Sequence, residues 1–168
     1  MIRSVPIAAA CALVLSASAA VAEDSPAAAK GETVHATVVG SDGNSLGMIT
    51  LQQTPTGVLV STDLKGLPEG EHGFHFHEKH FAGSHAKHGL MVEGGPHAGD
   101  MPNQYVGPDG VLKEQIFNTG VTLTPGPNSL LDADGSALVI HAGADDYMSQ
   151  PSGAAGNRIA CAVISAGE

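Results

Sequence analysis

Glu71-His72-Gly73-Phe74-His75-Phe76-His77-Glu78 decides how the chain is read. The run reads as one β-strand. Alternate side chains of a strand share a face, so His75 and His77 point the same way and can bind one metal ion from a rigid base. His72 lies an odd step away and points to the opposite face, where a structural hydrogen bond is the expectation. Seven of the nine histidines fall between His72 and His97. Histidine is the commonest side-chain ligand for copper and zinc, so this density marks a metal centre.

The neighbouring sequence is β throughout. Thr33 to Val39 alternates and is β-branched, and Gly47 to Gln53 and Val58 to Leu64 follow it. They are set off by the turn sequences Ser41-Asp42-Gly43-Asn44 and Thr54-Pro55-Thr56-Gly57. Tyr105 to Phe117 reads as a hairpin about Pro108-Asp109-Gly110. Ser136 to His141 and Arg158 to Ile164 complete the set, and no stretch has convincing helical periodicity. Short strands at this spacing predict an all-β antiparallel sandwich or barrel. Residues 79 to 104 and 142 to 157 resist a strand reading and are the long loops of the prediction.

Residues 1–22 read as a secretory signal peptide: Arg3 is followed by an apolar Ile7–Leu15 and by Ala20-Val21-Ala22 before Glu23. Residues 23–30 are a small, polar lead-in, and 31–168 form one domain. Beyond the signal no segment has the length and apolarity of a membrane span, so membrane insertion is not expected. After removal of the signal, six basic residues face seventeen acidic ones. That balance argues against nucleic acid or an anionic membrane as partner, and any attraction for an anionic substrate must be local. Cys11 leaves with the signal, so Cys161 has no intrachain partner. In its apolar strand it is expected to be buried and inert.

His80, His88, His97 and Asp100 offer three imidazoles and a carboxylate, a set that closes a tetrahedral zinc shell. A solvated histidine-rich loop is the alternative, and the density of the cluster argues against it.

Four segments carry a family resemblance: Glu71 to His77, Gly95-Pro96-His97-Ala98-Gly99-Asp100, Leu138 to Asp146, and Gly156 to Ile164. Together they resemble the copper/zinc superoxide dismutases, above all the exported bacterial branch, over nearly all of the mature chain. The resemblance implies a Greek-key β-sandwich with long metal-binding and active-site loops. It implies copper held by His75, His77, His80 and His141, and zinc by His80, His88, His97 and Asp100. His80 would bridge the two ions and carry a proton, with His85 as the rival for that place. Asp145 would accept hydrogen bonds from His75 and His88, and Arg158 would guide the superoxide anion. The periplasm or the extracellular space is the implied location, and a homodimer the assembly left open. One departure stands out. Only Glu78 and Lys79 separate His77 from His80, so the family's longer loop, with the cysteine that pairs near the C-terminus, is missing. That departure favours a second reading, an exported copper- or zinc-binding storage protein on the same scaffold with little turnover. Arg158 favours the enzyme, because storage does not need an anion guide.

Overall fold

A computed structural model describes residues 31–77, 86–133 and 135–165. Among the described residues there are nine strands, and all pair antiparallel. They are β1 (Thr33–Gly40), β2 (Ser45–Thr54), β3 (Gly57–Leu64), β4 (Gly70–His72), β5 (Phe74–His77), β6 (Gln104–Val106), β7 (Gln115–Asn118), β8 (Ser136–His141) and β9 (Arg158–Ile164). Seven form one curled sheet in the order β5-β8-β9-β1-β2-β3-β7, and β4 pairs with β6. After the β1-β2-β3 meander the chain crosses to β5 at the far edge and returns to β7 beside β3. It then crosses again to β8 beside β5, a Greek-key path.

Alternation explains the core. In β1, Val34, Ala36 and Val38 are buried while Thr33, His35 and Thr37 are exposed. Ala160, Ala162 and Ile164 do the same in β9. These side chains meet Ile49, Leu51, Val60, Phe74 and Leu138 in one apolar cluster, so the two halves of the sheet face each other as a sandwich. Phe74 is fully buried at 0% exposure, and Phe74→Ala is expected to cost about 3–5 kcal/mol in urea unfolding.

Three expectations need correction. The Glu71–Glu78 run is not one strand: it breaks at Gly73, where a Cβ would lie 2.9 Å from Ala155 Cβ. The ladder to β8 runs one residue past β5, with His141 N donating to Gly73 O at 2.9 Å, and Gly73 N then skips ahead to Gly143 O at 2.8 Å. Tyr105–Phe117 is not a hairpin. Its turn forms, with Gly110 N donating to Gly107 O at 2.9 Å, but the two arms join different sheets, β6 on β4 and β7 on β3. Cys161 is exposed rather than buried. Ala160 and Ala162 take the inward positions, so the residue between them must face out.

Candidate metal centre

His75 and His77 on β5 project from the face opposite the two core phenylalanines, and β8 pairs with this strand. His141 ends β8, where a register shift follows Ile140. The ligand atoms of His75, His77 and His141 all lie within 4.8 Å of one another. Hydrogen bonds fix the free nitrogen of two of the rings. His141 Nδ1 donates to Gly156 O at 3.1 Å, which leaves Nε2 as a lone pair, buried and without a partner. His77 Nε2 is likewise buried and unpartnered. His75 uses Nε2 toward Asp145 Oδ2 at 2.8 Å, so Nδ1 is the atom it can offer a metal. Two buried, unpaired imidazole nitrogens, with His75 offering a third in the same cluster, fit a soft or borderline cation.

The second donor set lies beside the first. His88, His97 and Asp100 also gather their ligand atoms within 4.8 Å. His97 Nε2 donates to Ala86 O at 2.8 Å, turning Nδ1 toward Asp100. Asp100 is anchored through Oδ2, which accepts from Gly89 N at 2.8 Å and His97 N at 3.0 Å. Its Oδ1 is thereby presented to His88 Nδ1, 2.9 Å away. Two imidazoles and one carboxylate oxygen form most of a tetrahedral zinc shell. His80, the fourth expected member and the expected bridge, lies outside the described residues, as do Lys79 and His85.

Asp145 joins the two sets. Its Oδ2 accepts from His75 Nε2 at 2.8 Å and from His88 Nε2 at 2.9 Å, and the carboxylate is almost wholly buried. A shared acceptor of this kind fixes both tautomers and aims both rings. Gly153 makes room for it, since a Cβ there would fall 1.6 Å from Asp145 Oδ1. His72 has the structural role expected of it: Nδ1 lies 2.7 Å from His141 O and Nε2 2.9 Å from Pro68 O.

Burial depresses the proton affinity of His75. It does the same to His77, with the Arg158 charge adding to the effect, and holds its pKa at about 4. Both rings therefore stay neutral, as metal ligation requires. When the chain unfolds these rings regain an ordinary pKa near 6.5 and take up protons. The metal-free protein is thus expected to lose stability as pH falls from 6.5 toward 4, read as a falling urea midpoint. Arg158 is exposed at the start of β9, opposite His141 in register, and no carboxylate pairs with it among the described residues.

Sequence reading missed the residues that hold the candidate ligand loops from behind. Asn103 and Gln150 bond to the main chain of Asp145 and His88, and Tyr147 N donates to Asp145 Oδ1 at 2.6 Å. Polar loop residues carry no pattern that would have singled them out.

A curled antiparallel sandwich with a three-histidine site, a His-His-Asp site and a carboxylate between them defines a two-metal β-protein. The chain belongs to the copper/zinc superoxide dismutase family, whose model matches residues 45–164. It is 45% identical over 145 residues to "Superoxide dismutase [Cu-Zn] 2" of Aquifex aeolicus, covering 77% of this chain and 85% of that one. It is 41% identical over 145 residues to "Superoxide dismutase [Cu-Zn]" of Caulobacter vibrioides, covering 77% and 83%. Among solved structures it resembles a SOD-like protein from Bacillus subtilis, with TM-score 0.73 and 32% identity over 77% of this chain and 97% of that one.

Proposed function

We propose that the protein is a superoxide dismutase, with His75, His77, His141 and His80 holding copper and His88, His97, Asp100 and His80 holding zinc. The observation that carries this reading is the convergence of His75, His77 and His141 ligand atoms beside a second donor set linked through Asp145. Copper, when bound, supplies the one-electron cycling by which one superoxide is oxidised to oxygen and the next is reduced to hydrogen peroxide. Zinc supplies a fixed positive charge beside the shared ligand.

The protein's own residues do the rest. Gly156 O and Asp145 set which nitrogen of His141 and His75 faces the metal. His80 carries the proton that peroxide formation needs, a role supported by the family resemblance. Arg158 attracts the anion locally in a strongly acidic chain, a form of steering for which superoxide dismutases are themselves a standard example. Arg158→Gln is expected to slow copper-dependent superoxide decay about tenfold and to weaken its salt dependence. Both metals should stay bound. Unchanged rate and salt slope would remove Arg158 from the mechanism.

Export to the periplasm belongs to the same reading, supported by the signal-like first 22 residues and by the bacterial relatives. So does a homodimer, the assembly the resemblance leaves open. The storage reading gains from the free Cys161, but it gives Arg158 nothing to do. Titration with copper and zinc decides the ligand sets: one of each ion per chain, with the copper lost in His77→Ala and the zinc lost in His97→Ala, is the expected result.

A further inference from the structure

We propose that Gln150 and Asn103 are positioning residues for the zinc half of the centre, acting as a reciprocal pair of amide clamps between the two loops that carry it. Gln150 Nε2 donates to His88 O at 2.7 Å, while its Oε1 accepts from His88 N at 3.1 Å. Asn103 Nδ2 donates to Asp145 O at 2.9 Å, while its Oδ1 accepts from Asp145 N at 2.8 Å. Each primary amide offers the donor and acceptor that a neighbouring strand would offer. His88 and Asp145 lie outside every strand, so neither has a ladder partner for its main chain. The side-chain amides stand in for one.

The exchange is crossed. Gln150 reaches from the 142–157 loop to His88 on the loop after β5, and Asn103 reaches from that loop to Asp145 on the other. The His88 Nε2 to Asp145 Oδ2 bond, 2.9 Å, closes the chain Gln150–His88–Asp145–Asn103. Tyr147 locks it: its hydroxyl accepts from Asn103 N at 2.8 Å, and it holds a left-handed φ of 62° that an L residue adopts only under constraint. Cys161 is free, so no disulfide among the described residues ties these loops down, and the clamps carry that duty.

The inference rests on His88 as a zinc ligand, and the test separates the two. Gln150→Glu and Asn103→Asp keep shape and acceptor but lose the donated bond. Their added negative charge would by itself strengthen cation binding, so weaker binding reports the clamp. Gln150→Met and Asn103→Leu remove both polar atoms without adding charge. Zinc affinity, read by competition with a chromophoric chelator, should fall about ten- to a hundredfold in each variant. Cobalt substituted at the zinc site should show a shifted visible spectrum, a change that a fall in the urea midpoint of the metal-free protein from the lost bonds would not by itself produce. In the double variant Gln150→Met/Asn103→Leu the loss should be smaller than the product of the single losses, because either break opens the same chain. Zinc affinity within twofold of the unmodified protein, with His88→Ala losing zinc, would overturn the clamp. So would a fall in metal-free stability with an unshifted cobalt spectrum, which would make both residues merely structural. Zinc retained by His88→Ala would instead overturn the zinc assignment itself.

Discussion

Replacing His141 with alanine is expected to reduce superoxide decay to that of the metal-free control while leaving one zinc bound. The ring sits at the end of β8, held by Gly156 O through Nδ1, and its Nε2 has no protein partner. Its loss leaves two histidines of the described three-histidine set, both on β5, with nothing facing them from β8. His88, His97 and Asp100 lie outside β8, and none of them is hydrogen-bonded to Gly156 among the described residues, so zinc should stay. Copper and zinc content per chain, with the electron paramagnetic resonance spectrum of the copper that remains, reads the outcome. Retained copper-dependent decay would mean that another residue supplies the third nitrogen.

Asp145→Ala is expected to have the widest reach of any single change outside the ligands. It strips the acceptor from His75 Nε2 and His88 Nε2 together and leaves Tyr147 N without its partner. Buried donors left unpaired cost about 1–3 kcal/mol each, so the loops should loosen. Both rings also become free to turn or change tautomer. Zinc and copper affinities should each fall about ten- to a hundredfold, read by chelator competition. A fall confined to one metal would show that the carboxylate serves one site and merely neighbours the other.

Much of the fold was legible because burial imposes a period of two. Thr33–Val39, Val58–Leu64, Ser136–His141 and Arg158–Ile164 all became strands with little change at their ends. What escaped depended on contacts distant in sequence. The break at Gly73 exists because Ala155, on a loop far along the chain, passes too close for a side chain. The Pro108–Gly110 turn formed, but its arms were claimed by β4 and β3, which nothing local announces. Cys161 was misjudged because β9 is apolar on both faces: Val163 is 71% exposed, so composition hid the parity that puts Cys161 outside. The candidate histidines could be singled out by motif and spacing, and the structure gathers the ligand atoms of His75, His77 and His141, and of His88, His97 and Asp100, into two clusters. Asn103, Gln150 and Tyr147 could not, since their role lies in main-chain bonds between loops.

Superoxide decay by pulse radiolysis on the Glu23–Glu168 protein loaded with copper and zinc tests the dismutase activity most directly. Fast decay that requires copper and scales with the amount bound is the expected result. Decay no faster than the metal-free control, with both metals confirmed in place, would contradict it and leave a protein that binds these metals without turning superoxide over.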